Sequence, residues 1–236
     1  MACVFNKVFV KEKEGSFKNM KKPWPTKDAM KQVYEKKLWG GTTDFYSGEG
    51  SHLPSIVAPY IEVVTTFLSS FESPISVCDL GCGDFNVGKE LVAYAKKYIA
   101  VDIVPDLVAR NKEKFKASNL EFQCLDIAKD DLPIADCVII RQVLQHLSND
   151  EVQRIARKIS DYKFVIVTEH VPEGTFVPNI DIISGQGTRL KKRSGINLLA
   201  APFYLKVVEE RKLLSVTGGK GVIETMMYRF DRPFKL

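Results

Sequence analysis

Residues 77–91 read VCDLGCGDFNVGKEL, and this stretch decides the fold. A short apolar run ends in the acid Asp79, and two closely spaced glycines, Gly81 and Gly83, follow it. A helix-like stretch begins near Gly88. A strand, a glycine-rich turn and a helix in this order form the unit that holds a nucleotide-like cofactor. The glycines let the backbone turn sharply and let a ligand approach main-chain N–H groups without a Cβ in the way.

The acid before the turn indicates which class of cofactor the turn can bind. A carboxylate at Asp79 repels a pyrophosphate group but suits a cation. S-adenosylmethionine (SAM) carries an ammonium and a sulfonium group and has no phosphate. A phosphate-binding Walker loop is excluded, because no Gly-Lys-Ser/Thr sequence closes the turn. The residues therefore favour SAM.

Three further apolar runs follow along the chain, at residues 98–102, 120–127 and 135–140. The first two contain acids near their ends, Asp102 and Asp126. An acid at the end of the second strand can accept hydrogen bonds from both ribose hydroxyls. Asp126 is placed to accept from an adenine amino group, with Ile127 beside the ring. Because ligands of open α/β sheets bind at the carboxyl ends of the strands, these acids predict one binding crevice.

At these residues the chain resembles the class I SAM-dependent methyltransferases. Residues 79–83 match the first motif of the family, Asp102 matches the second, and Asp126 with Ile127 matches the third. Residues 141–147, RQVLQHL, are similar to the segment after the fourth strand in the small-molecule branch called type 11. The resemblance implies SAM as cofactor and S-adenosylhomocysteine (SAH) as product. It places these residues against the cofactor: Asp79, Gly81, Cys82, Gly83, Asp102, Ile103, Asp126, Ile127 and Arg141.

One residue of the glycine-rich turn departs from the family pattern. The family often has a third glycine where this chain has Phe85, and the next glycine here is Gly88. We therefore expect the loop to pass the methionine end of SAM differently. A side chain from Asp84, Phe85 or Asn86 is expected to take part.

The segment before the glycine-rich turn carries a second resemblance. Residues 39–41, WGG, and residues 45–51, FYSGEGS, are similar to bacterial methyltransferases associated with surface-sugar modification. Thr26 is a candidate N-cap for a helix that runs toward Leu38. These residues predict a lid over the crevice.

Alternating strands and helices predict a parallel sheet, and two late strands joined by a short turn predict an antiparallel edge. The fold class is α/β: a Rossmann-like, seven-stranded, mostly parallel sheet with an antiparallel edge strand, helices on both faces and an N-terminal helical lid. The predicted organisation is a basic, flexible leader at residues 1–25, a helical lid at 26–72 and a SAM-binding domain at 73–236. An acceptor insertion is expected at about residues 172–203.

Composition limits the class of protein. The chain is 45% hydrophobic and can bury a core, and it lacks an apolar stretch of eighteen residues, so no membrane span is expected. Its five cysteines form no pattern of paired metal ligands, and reduced buried thiols predict a cytoplasmic protein. Nothing in the sequence indicates an oligomeric state.

Positive charge is concentrated in two places. Residues 1–40 hold ten lysines and four acids, which suits either a nucleic-acid partner or a solvated leader. We favour the solvated leader and do not expect a nucleic-acid partner, because no stacking aromatics alternate with the lysines. The second cluster, residues 189–193, lies in the predicted acceptor insertion and indicates an anionic small-molecule substrate.

The chemistry of methyl transfer directs attention to the ends of the fourth and fifth strands. The sulfonium already activates the methyl group, so the enzyme must align the acceptor and exclude water. A hydroxyl acceptor also benefits from a base. The catalytic candidates are His146, Glu169 and His170, and the sequence does not choose among them. A divalent metal on Glu169, His170 and Asp181 is an open alternative, but no metal is predicted because the spacing is not diagnostic.

The absence of two motifs from the sequence limits the chemical classes of methyl acceptor. No Asn-Pro-Pro-Tyr segment follows the fourth strand, which disfavours methylation of exocyclic amines, and no Pro-Cys pair supports cytosine C5 chemistry. We therefore predict a SAM-dependent methyltransferase that acts on a small molecule, on an oxygen of an anionic or sugar-derived substrate. The alternatives are an RNA or protein methyltransferase that docks through the basic leader, and a non-catalytic SAM-binding regulator.

Overall fold

The structure is a computed structural model and describes residues 24–219 and 221–235. The strands are β1 Ser76–Leu80, β2 Lys97–Asp102, β3 Leu120–Cys124, β4 Cys137–Arg141, β5 Phe164–Val171, β6 Glu209–Gly218 and β7 Gly221–Arg229. The helices are α1 Thr26–Glu35, α2 Pro54–Ser69, α3 Pro105–Lys114 and α4 Asn149–Ile159. Short 3₁₀ turns lie at Glu49–Ser51, Gly88–Glu90, Val92–Tyr94, Leu144–His146 and Arg189–Lys192.

The seven strands form one sheet in the order β3-β2-β1-β4-β5-β7-β6. Strands β1 to β5 pair in parallel with one another, whereas β7 runs antiparallel to both β5 and β6. The chain order reverses between β1 and β4, which is the position where open α/β sheets bind their ligands. The predicted fold class is confirmed.

Both faces of the central strands are buried. In β4, Val138 and Ile140 pack into one core, and Cys137 and Ile139 pack into the other, as the two-residue period of a strand requires. Helix α4 covers the first core, while α2 covers the second with a stripe that includes Tyr60, Val64 and Leu68. Coverage on both faces explains why these strands are continuous apolar runs.

The segment after the glycine-rich turn differs from the prediction of a helix near Gly88. Two 3₁₀ turns replace it, because eight residues between Gly88 and Lys97 are too few for a helix and its return to the sheet. Phe85 has a φ of +63° and is fully buried, with its ring against those of Tyr98 and Phe122. A Cβ at Gly88 would lie 2.4 Å from the Phe85 ring, so this glycine makes room for the phenylalanine.

One local prediction is wrong because of a tertiary contact. Thr26 does not cap α1, because it already lies within the helix and its hydroxyl donates to the Glu151 carboxylate. Strand β5 extends through Glu169 and His170 to Val171, because its antiparallel pairing with β7 continues that far. Most of the predicted leader, residues 1–23, lies outside the described residues.

Across residues 24–219 and 221–235, the helices include none that is both long and apolar enough to span a membrane.

Candidate functional site

A cavity of about 370 Å³ opens at the carboxyl ends of the central strands. Its volume falls in the range of roughly 300–1,000 Å³ that is typical of ligand sites. It is lined by all nine residues predicted for the cofactor: Asp79, Gly81, Cys82, Gly83, Asp102, Ile103, Asp126, Ile127 and Arg141. Of the three catalytic candidates, His146 lines the cavity, while Glu169 and His170 are not among the lining residues.

Asp102 is fixed at the end of β2 by two backbone groups. Its carboxylate accepts hydrogen bonds from the N–H groups of Gly83 and Val104, both at 3.0 Å. Burial raises the pKa of Asp102, whereas these N–H groups favour the ionised form. Just after the end of β3, the Asp126 carboxylate accepts from the Ala128 N–H at 3.1 Å and pairs with Lys129 at 2.8 Å. Two oriented carboxylates thus stand on one side of the cavity.

The other end of the cavity carries opposite charges. Asp79 is buried and accepts a hydrogen bond from the Tyr98 hydroxyl at 3.0 Å. Arg141 lies 4.8 Å above the Tyr60 ring, an arrangement in which a cation is attracted to the aromatic face. The Arg141 Nε and the Tyr60 hydroxyl are buried without a hydrogen-bond partner in the described part of the chain. This end can therefore accommodate an ammonium group and a carboxylate of one ligand.

The glycine-rich turn also holds the lid loop, which we define as residues 44–52. The Asp84 carboxylate accepts from the Ser47 N–H at 2.7 Å and contacts His52 Nε2 at 2.6 Å. The Asp84 N–H donates back to the Ser47 hydroxyl at 2.8 Å, and Asn86 donates to the Ser51 carbonyl at 2.8 Å. Asp84 and Asn86 thus fasten the lid loop.

Arg141 joins the lid loop to the end of β4. Its guanidinium donates to the Gly50 carbonyl and, at 3.1 Å, to the Ser51 hydroxyl. Gly50 and Ser51 both line the cavity. The lid loop is therefore the roof of the cavity.

His146 is held as a neutral ring with a defined tautomer. Its Nδ1 lies 3.1 Å from the Gly187 carbonyl, which can only accept, so Nδ1 carries the proton. Burial lowers the pKa of His146 to about 4, so the ring is neutral at pH 7 and Nε2 offers a lone pair. The Gln145 amide contacts that nitrogen at 3.3 Å, a long hydrogen bond.

Glu169 and His170 lie behind the turn that carries His146. The Glu169 carboxylate accepts from the N–H groups of Val143, Leu144 and Gln145 at 3.2, 2.8 and 3.0 Å. The His170 N–H donates to the Gln145 side-chain oxygen at 3.1 Å, which orients the Gln145 amide toward His146. The geometry therefore brings one of the three candidates to the cavity and uses the other two to support it.

The side chains that were considered for a metal do not come together. In the described ranges, His, Cys, Asp and Glu residues form no group of three that could hold a metal ion. Asp181 instead accepts from the Asn149 N–H at 2.7 Å, at the start of α4. The Glu169 oxygens are occupied by the turn described above.

The basic cluster at residues 189–193 does not face the cavity, which corrects the contact predicted for an anionic acceptor. Arg189 is 1% exposed and donates to the carbonyls of Leu144 and Leu147 at 2.8 and 2.7 Å. Its guanidinium is needed there because the end of a short turn leaves carbonyls unpaired. The remaining basic residues, Lys191, Lys192 and Arg193, are exposed.

The structure adds cavity residues that the sequence patterns did not assign to the site. They are contributed by the lid, by the segment after β4 and by the insertion, and include Tyr34, Trp39, Ser47, Gln142, Gln186 and Thr188. The Trp39 ring lies 5.0 Å from the His146 ring and 5.5 Å from the Tyr34 ring. The aromatic lid sequence at residues 39–46 was the available signal for this wall.

Comparison with known proteins finds one matching sequence family and several similar folds. The sequence profile of a family described as "Methyltransferase domain" matches residues 77–162. The fold is similar to that of the N-methyltransferase NodS from Bradyrhizobium japonicum WM9 in complex with SAH, with a TM-score of 0.63, 14% identity, and coverage of 86% of this chain and 100% of that chain. It is also similar to magnesium protoporphyrin IX methyltransferase from Synechocystis PCC 6803 with bound SAH, with a TM-score of 0.58, 13% identity, and coverage of 88% and 100%. At these identities the likeness concerns the fold.

One curated relative has a higher sequence identity to this chain than these structures have. An uncharacterized RNA methyltransferase of Chlamydia pneumoniae is 31% identical over an alignment of 167 residues, and the alignment covers 66% of this chain. The chain spans 41% of the length of that relative.

Proposed function

We propose that the protein is an enzyme that transfers the methyl group of SAM to an oxygen of a small molecule. Residues 77–162 match the profile of a methyltransferase domain, and the fold is similar to that of methyltransferases solved with SAH, which agrees with the predicted resemblance to class I SAM-dependent methyltransferases. The observation that carries the proposal is a single cavity lined by strand-end acids, one guanidinium and one neutral histidine.

The charged and apolar residues that line the cavity suit SAM. Asp102 suits the ribose hydroxyls, and Ile103 and Ile127 offer apolar surface for the adenine. Asp79 and Arg141 suit the ammonium and carboxylate of the methionine moiety. When bound, SAM supplies an electrophilic methyl group. The residues of the chain then have to orient the acceptor, exclude water and accept a proton.

We assign His146 as the base that accepts the proton of the acceptor hydroxyl. Its Nε2 is unprotonated at neutral pH, and the 3.3 Å contact with Gln145 is weak enough for an acceptor hydroxyl to replace it. The Gly187 carbonyl, 3.1 Å from Nδ1, stabilises the ring as the proton arrives at Nε2. The lid loop above this wall excludes water, which favours a small acceptor over a large one.

An RNA acceptor is the second candidate function, and the name of the Chlamydia pneumoniae relative favours it. One experiment distinguishes the small-molecule acceptor from the RNA acceptor. The intact protein is incubated with methyl-labelled SAM and either a small-molecule extract or total RNA, and the label is followed by size. We expect the label in the small-molecule fraction. Label confined to RNA would overturn the proposed acceptor, and no transfer to either pool would overturn the enzymatic function.

The affinity for SAM is expected to fall as the pH decreases through about 7. Burial raises the pKa of Asp79 to about 7, and the ionised carboxylate is the form that attracts the cationic cofactor. Below that pKa the loss approaches roughly tenfold per pH unit. Calorimetric titration with SAM between about pH 6 and 8 measures it. In an Asp79→Asn variant binding should be weaker and independent of pH, and the same pH dependence in both proteins would contradict the assignment.

A further inference from the structure

Gln142 follows β4 in an unusual backbone conformation. Its φ is +55°, a left-handed value that residues other than glycine seldom adopt. A hydrogen bond of 2.7 Å from its N–H to the Thr168 carbonyl fixes the backbone there. Such conformations persist where the surrounding structure imposes them, and they concentrate at functional sites.

The lid loop is shaped around the side chain of Gln142. A Cβ at Gly50 would lie 2.1 Å from the Gln142 Oε1 and 2.8 Å from its Nε2. Gly50 does not have a positive φ, so it is space rather than backbone conformation that requires a glycine. The carboxamide thus occupies a place that the roof of the cavity leaves open for it.

The polar atoms of this carboxamide are available to a ligand. Gln142 lines the cavity and is half-buried, and its side chain forms no hydrogen bond with residues 24–219 or 221–235. Other buried or half-buried amides nearby are engaged, since Gln145 binds both His146 and the His170 N–H. A carboxamide offers two N–H donors and one acceptor.

The position of Gln142 separates it from the adenosine end of the cavity. Strand β4 lies on the opposite side of β1 from β2 and β3, whose ends carry Asp102 and the segment of Asp126. Gln142 belongs instead to the segment that leads directly to His146. It therefore lies on the methionine side of the cavity, where the methyl group of SAM would meet the acceptor and the proposed proton-accepting group.

The charged residues that line the cavity disfavour an anionic ligand next to Gln142. Five acidic side chains line it, Asp79, Asp84, Asp102, Asp126 and Glu151, against the single guanidinium of Arg141. Among the cations of the insertion, Arg189 is buried against the turn at Leu144–His146, and Lys191, Lys192 and Arg193 are exposed. The other acceptor-side wall residues, Trp39, Gln186 and Thr188, are uncharged.

We propose that Gln142 determines acceptor specificity by hydrogen bonding through its carboxamide to an uncharged polar group next to the methylated oxygen. This inference rests on the proposed methyl transfer at the same site. A hydroxyl suits the carboxamide best, because it donates to Oε1 and accepts from Nε2. The acceptor is accordingly an uncharged molecule with at least two hydroxyl groups.

The test uses uncharged and anionic probes on the same protein. Saturation-transfer NMR is recorded for neutral methyl hexosides and for the matching hexose 6-phosphates, each with and without SAH. We expect saturation transfer to at least one neutral hexoside, and at least about tenfold weaker binding of that probe to Gln142→Leu. That change corresponds to about 1.4 kcal/mol. The SAH affinity of the variant should stay within about twofold, because the amide is assigned to the acceptor.

Two further variants complete the test. Gly50→Ala places a methyl group where the amide lies and should reproduce the loss of hexoside binding even if Gln142→Leu folds poorly. Gln153→Leu, on α4 and outside the cavity wall, should leave binding of the hexoside unchanged. The inference is overturned if no neutral hexoside binds, if only phosphates bind, or if Gln142→Leu and Gly50→Ala bind hexoside normally. Failure of the wild-type protein to bind SAH would instead overturn the proposed function.

Discussion

A Gly83→Val protein is expected to fold but to lose at least about 100-fold in SAM affinity, which corresponds to about 2.7 kcal/mol. Gly83 has a φ of +57°, and a Cβ there would lie 2.4 Å from the Ser47 hydroxyl oxygen. The same residue donates its N–H to Asp102 at 3.0 Å and accepts from Asn111 at 2.7 Å. A side chain at this position therefore pushes the lid loop away and disturbs the carboxylate that we assign to the ribose.

The chain offers a matched control for backbone strain. Gly219, in the turn between β6 and β7, has a φ of +58° and no heavy atom within 4 Å of its Cβ position. A left-handed conformation costs an ordinary residue about 1–2 kcal/mol, so Gly83→Val and Gly219→Val should lose similar stability from strain alone. Calorimetry with SAM and thermal unfolding of both variants measure the two effects. Equal SAM affinity in the two proteins would show that the glycine-rich turn does not approach the cofactor.

The strand-end acids were predictable because each depends on local sequence. Asp79, Asp102 and Asp126 close or follow short apolar runs, and parallel strands bring their carboxyl ends to one edge of a sheet. That topology was predicted from the alternation of apolar runs with helix-like segments, although two 3₁₀ turns take the place of a helix between β1 and β2. The cofactor side of the cavity could therefore be assembled from the sequence alone.

Apart from His146, the acceptor side could not be predicted, because it depends on contacts between distant segments. Glu169 looks like a loop residue until β7 pairs with β5 and extends the strand through it. Arg189 looks like a surface cation until the turn at Leu144–His146 provides carbonyls that bury it. The need for a glycine at position 50 arises from its contact with the Gln142 side chain in the fold. No periodic sequence pattern predicts a contact between residues so far apart in the chain.

The turnover of His146→Ala is expected to fall by about 10²–10⁴, the usual cost of removing a base from a proton-transfer step. Its SAM affinity should change little, because the cofactor side of the cavity is formed by other residues. Methyl transfer to the acceptor identified by the labelled-SAM experiment measures turnover, and calorimetry measures SAM affinity. His146→Gln, which keeps a polar side chain but no comparable base, should show the same loss.

The pH dependence of the wild-type enzyme provides an independent check. Because burial lowers the pKa of His146 to about 4, the ring remains unprotonated as the pH falls from 7 to about 5. At saturating SAM, turnover should therefore be retained in this range and decline only near pH 4. A decline centred near the ordinary histidine pKa of about 6.5 would point to another group.

Variants behind the turn distinguish a base from a supporting residue. His170→Ala should leave turnover per folded molecule near normal, because its ring is not part of the cavity wall. Glu169→Ala removes the acceptor of three backbone N–H groups and should lower the unfolding temperature, with activity reduced through displacement of His146. If His146→Ala instead keeps near-full turnover, the acceptor needs no base in this cavity. An amine that reacts in its neutral form would then replace the hydroxyl as the leading acceptor.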